Sequence, residues 1–158
     1  MIEIAAFFLA FIYANAGEWF FHRYVLHGMG KRRGSFFNYH CFEHHKVCIE
    51  NNMLDPGYGR WPRSLNGQAR EAIVLFMIVG AHLPLFFFIP GFVAGLSTSI
   101  VLYYYRHRRS HLDREWAFEH LRWHYDHHMS TDHEPANWCI TWPWFDYLMG
   151  TRVRNDLP

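Results

Sequence analysis

The sequence predicts an all-α protein, with integral membrane helices under a cytosolic, histidine-rich helical cap. Three observations predict it. Hydrophobic residues reach 51% and aromatics 20% against 18% charged, yet the mean hydropathy is only -0.17, which fits a chain that is part membrane segment and part polar cap. Three long apolar runs contain almost no charge. Thirteen histidines fall mostly into four tight groups. At 158 residues the chain reads as one domain, 1–158.

The first run, Ala5 to Phe21, is interrupted only by Asn15, Gly17 and Glu18. No basic segment precedes it, so it is expected to be a retained membrane helix rather than a removed signal. The second, Ala72 to Ile89, carries His82 and Pro84; Pro90-Gly91 marks a reversal, and Phe92 to Tyr105 is the third. A bilayer core takes roughly 20 helical residues. The third run is therefore short unless it continues past Arg106, which it is free to do because nothing from Arg106 to Met129 demands a break. Between the first two runs, Val47 to Gln68 is rich in Asn, Gly and Pro and reads as an irregular loop able to lid a site.

Basic residues flank the runs at Lys31, Arg32 and Arg33, at Arg60, Arg63 and Arg70, and at Arg106, Arg108 and Arg109. If all three runs cross a membrane, these flanks share one side, and basic flanks mark the cytoplasmic side. Every histidine group lies there too. A net charge of +1 gives no reason to invoke nucleic acid. Three cysteines (Cys41, Cys48 and Cys139) without a Cys-x-x-Cys form neither a disulfide framework nor a zinc finger. After Met129 come Trp138, Trp142, Trp144, Phe145 and Tyr147, suited equally to a membrane boundary or to the core of the cap.

The histidine groups are His22-x4-His27, His40-x3-His44-His45, His107-x3-His111 and His124-x2-His127-His128. Residues four apart in an α-helix share a face. His107 and His111 are thus expected to point together, and His124, His127 and His128 to converge on one point from an arc of about 100°. His22 and His27, five apart, do not share an α-helical face, so His27 is expected at or beyond the helix end, folding back. Crowded imidazolium ions repel, whereas a metal takes the neutral ring and rewards crowding. Ten imidazoles exceed what one ion holds; about five for each of two ions leaves an open position on each. Zinc usually takes four ligands, whereas iron accepts imidazole and higher coordination.

These boxes resemble the fatty acid hydroxylase superfamily of membrane dimetal enzymes. Glu18-Trp19-Phe20-Phe21-His22-Arg23-Tyr24-Val25-Leu26-His27-Gly28 is similar to the first box of fatty acid 2-hydroxylases and bacterial β-carotene hydroxylases. Leu121-Arg122-Trp123-His124-Tyr125-Asp126-His127-His128 matches the last box. Asn137 to Thr141 and Phe145 to Thr151 resemble the closing signature. Two departures stand out: the second box is usually H-x2-H-H, so His40 is displaced by one residue, and the family usually has four membrane helices. A shortened member, or one completed in a homodimer, would explain the latter.

The resemblance implies an O2-dependent hydroxylase of a lipid or fatty-acyl C–H bond. Two iron ions would be held by His22, His27, His40, His44, His45, His107, His111, His124, His127 and His128, with zinc as a possible substitute. It implies no further catalytic side chain. Without a Gly-rich dinucleotide fingerprint, electrons would come from a separate ferredoxin or b-type cytochrome. A carotenoid hydroxylase, a desaturase, a non-redox zinc protein and a bis-histidine haem protein are the other readings. Glu18 and Asp126 are candidates to orient ligand imidazoles. His82 reads as a hydrogen-bonded structural residue, His120 as outside the ligand set and His133 as solvent-facing.

Overall fold

The computed structural model describes residues 1–129 and 136–154, and among them every regular element is helical. Helix α1 (Ile2–Phe20) runs without a break into a π-helical stretch, Phe21–Met29. A second π-helical stretch, His40–His44, leads into α2 (His45–Glu50). Helix α3 (Gly67–His82) starts at Asn66, whose side chain accepts from the Ala69 N–H at 3.0 Å. A 3-10 segment, Leu83–Phe87, turns the chain into α4 (Pro90–Ser110), which has proline at its first position, where no N–H is needed. Helices α5 (Arg114–His120), α6 (Arg122–Met129) and α7 (Trp144–Leu148) follow.

Two segments, Ile2–Met29 and Gly67–Phe87, are long and apolar enough to cross a membrane. The third run extends through Arg106 to Ser110, and its 21 residues span about 32 Å at the helical rise. Helices α1 and α4 lie side by side in the same direction. The Gly91 N–H donates to Glu3 Oε2 at 2.6 Å, and Gly95 packs onto Phe7 and Ala10, where an added Cβ would collide with the Phe7 carbonyl. Small residues four apart let the helix backbones approach closely. Outward, Phe8, Phe76, Met77, Phe87 and Phe88 leave a broad apolar exterior.

The expectation of an unbroken helix from Arg106 to Met129 is corrected. Asp113 adopts an extended backbone and caps α5, accepting from the Trp116 N–H at 3.0 Å. A second break falls at Leu121, whose side chain is fully buried. These breaks turn α6 back over the end of α4, where its histidines meet His107 and His111. The Val47–Gln68 loop is only partly irregular. After α2 the chain turns through Asn52 and Met53, both at positive φ, and forms a 3-10 turn at Pro56–Gly59. Cys41, Cys48 and Cys139 are all free.

Candidate dimetal centre

The ten candidate histidines form two sets of five, each set built from several helices. In the first set, His22, His27, His40, His45 and His127 place one nitrogen each within 4.8 Å of all the others. Every pair of rings in it is in contact, at centroid distances of 4.4–5.1 Å, except His22/His45 and His40/His127. That is the adjacency of a square pyramid. The two non-neighbouring pairs are the diagonals of its base, and His27, which touches the other four, is the apex.

The nitrogen spacing has the scale of a coordination shell. Nε2–Nε2 separations are 2.9 Å for His22/His40, 3.1 Å for His27/His40 and His27/His45, and 3.2 Å for His27/His127, His40/His45 and His45/His127. Two nitrogens at right angles, each about 2.1 Å from a metal, lie about 3.0 Å apart, whereas tetrahedral placement would open the gap to about 3.4 Å. The five therefore fit five corners of an octahedron, with the sixth opposite His27.

The second set repeats the pattern with His44, His107, His111, His124 and His128. All ring pairs touch at 4.5–5.3 Å except His44/His124 and His107/His128, so His111 is the apex. It is the looser of the two: His107, His111, His124 and His128 lie together within 4.8 Å of one another, and His44 does so with Cys48, His111 and His128. His45 stacks on His128 at 4.3 Å, so the sets share a wall.

Two features of this arrangement correct the sequence reading. His27 does not fold back beyond a helix end. The π-helical stretch from Phe21, marked by the Gly30 N–H to Val25 carbonyl bond, places residues five apart one turn above each other, as residues four apart stand in an α-helix. The displaced His40 is absorbed in the same way: the His45 N–H bonds the His40 carbonyl, and His40 pairs with His45 across five residues. In α6 the three histidines do not face one point. His124 and His128, four apart, join the second set, while His127 turns to the first. An arc of about 100° is wide enough to serve two ions.

The outer nitrogens fix the tautomers. His22 Nδ1 donates to the Trp138 carbonyl at 2.7 Å, His127 Nδ1 to that of Ala136 at 2.6 Å and His111 Nδ1 to that of Met53 at 3.0 Å. In a neutral ring this leaves Nε2 as a bare lone pair aimed inward. His44 Nδ1 faces Asp55 Oδ2 at 3.3 Å, and His107 Nδ1 faces Glu71 Oε1 at 2.5 Å. The Nε2 atoms of His44, His107 and His128 are buried without any partner. Buried lone pairs facing one another are costly unless a cation sits among them.

Burial also favours the neutral form of most of these rings. Burial first, then the neighbouring histidines, holds His40, His45, His111, His124 and His128 well below the ordinary imidazole range. Burial brings His127 down to about 4. His44 is lowered by burial too, against the pull of Asp55. The ligand-competent form is thus the resting form.

Asp55 and Glu71 were not singled out from sequence. Glu71 carried a usable signal: it is an acid at the mouth of a membrane run, and such residues are functional candidates by default. Tyr58, from the loop, donates to Glu71 Oε2 at 2.6 Å and stacks on His111. Cys48 lies 3.4 Å from His111 Nδ1 and 3.8 Å from His44 Nδ1. Those nitrogens are already engaged outward and burial pushes the thiol's pKa up, so Cys48 backs the rings instead of binding metal.

Glu18 acts through the backbone, not on an imidazole. It accepts from the Ile140 and Thr141 N–H groups at 3.1 and 3.0 Å, while Asn15 donates to the Trp142 carbonyl at 2.8 Å. Asp146 accepts from the Trp138 and Cys139 N–H groups at 2.8 and 2.9 Å. Together these side chains pin the strip that presents the Trp138 carbonyl to His22. Asp126 meets Arg122 at 2.8 Å and Arg152 at 3.2 Å. Trp138 is buried and packs against His27, whereas Trp144 and Tyr147 face outward.

His82 is hydrogen-bonded, to the Ile78 carbonyl at 2.7 Å and to the Tyr13 hydroxyl at 3.0 Å. His120 is exposed and stacked on Trp116; His133 lies outside the described residues. Between α1, α3 and α4 a cavity of about 240 Å³ runs up to His22 and Glu71. No family model, no curated protein and no solved structure matches the chain.

Proposed function

We propose that the chain is a membrane-embedded, O2-dependent hydroxylase that holds two iron ions and oxidises a C–H bond of a lipid. The observation that carries this reading is the pair of five-imidazole sets with square-pyramidal ring adjacency, the first of them reaching through His22 an apolar cavity among helices fit to span a bilayer. Five imidazoles exceed zinc's usual four, and a redox metal with an open corner suits oxygen chemistry. Bound iron would supply the reductive activation of O2.

The chain's own residues do the rest. The ten histidines hold and orient the ions. The Trp138, Ala136 and Met53 carbonyls fix the tautomers, while Asp55 and Glu71 raise the basicity of His44 and His107. The lid residues Met53 and Tyr58 exclude water above the second set. By the basic flanks the cage faces the cytoplasm, where a ferredoxin or b-type cytochrome would deliver electrons. Lipid profiling of a host with and without the chain, grown under 18O2, tests this. A lipid gaining one heavy oxygen atom is expected; purified protein holding zinc alone, with no oxygen-dependent product, would overturn it.

A further inference from the structure

We propose that Arg60 and Arg63, at the entry to α3, bind the headgroup phosphate of an anionic phospholipid. The segment between the Pro56–Gly59 turn and α3 carries an open surface cavity lined by Gly57, Arg60, Trp61, Arg63, Ser64 and Asn66. Arginines of the neighbouring basic flanks are held in place. Arg70 donates to Asn38 Oδ1 at 3.1 Å, Arg108 to the Tyr58 carbonyl at 2.9 Å and Arg109 to the Tyr105 hydroxyl at 2.9 Å. The Arg60 and Arg63 side chains have no such partner among the described residues. Two guanidinium groups lining one cavity without a counter-ion suit a phosphate, whose oxygens match their forked donors.

Position identifies the phosphate as a lipid's. The apolar run of α3 begins at Ala72, about 7.5 Å along the helix from Gly67, and a headgroup layer is about 5–8 Å deep. The cavity just before Gly67 thus stands at the level of the headgroups. Trp61 marks the same level: it is 92% exposed, and the next most exposed tryptophan, Trp144, is 46% exposed. Tryptophan favours the membrane–water boundary. The lining also selects among lipids. No acid lines the cavity, and Asp55, on the same loop, turns inward to His44. The ammonium of a zwitterionic headgroup would therefore meet two cations and no anion, a penalty that an anionic headgroup escapes. Tyr58, two residues before Arg60, reaches Glu71 and His111, so a headgroup held here also anchors the loop over the second set.

This site rests on the membrane part of the reading above and not on hydroxylation. The full chain in detergent is given equal amounts of phosphatidylglycerol and phosphatidylcholine with the same acyl chains, and bound lipid is read by native mass spectrometry. Wild type is expected to prefer phosphatidylglycerol by roughly thirtyfold, about fivefold for each arginine. Arg60→Gln/Arg63→Gln should lose that preference and Arg60→Lys/Arg63→Lys should keep most of it. Arg32→Gln/Arg33→Gln, which removes the same charge from another flank, should leave it unchanged. Excess inorganic phosphate should not displace the lipid. An equal loss from the two glutamine pairs would reveal diffuse attraction instead of a site, and displacement by phosphate would remove the lipid; either overturns the proposal. An alkaline carbonate wash of host membranes separates the readings. A chain that stays in the membrane but shows no preference loses this site alone, whereas a chain that washes off loses the membrane reading and this site with it.

Discussion

The two imidazole sets are near copies in the adjacency of their rings and differ in what stands behind them. In the first, His22 and His127 lean on the neutral carbonyls of Trp138 and Ala136. In the second, His44 and His107 lean on the carboxylates of Asp55 and Glu71, and only His111 leans on a carbonyl. A carboxylate behind an imidazole increases its basicity and adds negative charge near the ion. The second set should therefore hold its metal more tightly, although its rings are less tightly gathered.

Removing ligands gives the largest expected effect. His27→Ala/His127→Ala should empty the first set and His111→Ala/His124→Ala the second, each leaving one ion per chain and abolishing the proposed lipid oxidation. Metal analysis and lipid profiling check both. Loss of both ions, or of neither, from one double variant would break the separation into sets.

The carboxylates come next. Glu71→Gln or Asp55→Asn, made in the first-set knockout, should weaken the remaining ion by about 10–100-fold in a competition titration against a chelator. Glu71→Gln made in the second-set knockout should change nothing. The same shift in both backgrounds would erase the asymmetry.

Acid gives a smaller, graded effect. Burial lowers His40, His44, His45, His111, His124, His127 and His128 below their unfolded value of about 6.5, so the unfolded chain takes up protons that the fold refuses. The metal-free protein should have its full stability above about pH 6.5 and lose it as the pH falls toward 4, where His127 titrates. Asp55→Asn should steepen the loss, because that carboxylate opposes the lowering of His44. Thermal unfolding between pH 7.5 and 4 reads both slopes. The smallest effect is expected from His120→Ala, which should leave both ions in place, since the side chain is exposed and its neighbours are Trp116 and Glu119 rather than the cage.

Box spacing made the ten ring positions legible in the sequence, because imidazoles recurring every three to five residues on polar flanks of apolar runs have few other uses. It did not show how they divide. That depends on two π-helical stretches, where the wider turn is set by the fold, so periodicity read at 3.6 residues misplaces His27. Helix α4 continued through Arg106 as its composition allowed. The breaks at Asp113 and Leu121 were missed, although Asp113 ahead of Glu115 is a capping pattern that could have revealed the first. The braces behind the rings are mostly backbone carbonyls, which no side-chain pattern records.

Native mass spectrometry of the chain, extracted without added metal, tests the central claim most directly. Two ions per chain are predicted, falling to one in either double variant and to none when the two are combined. A single ion in the wild type, or two that survive the loss of His27 and His127, would contradict two five-imidazole sites.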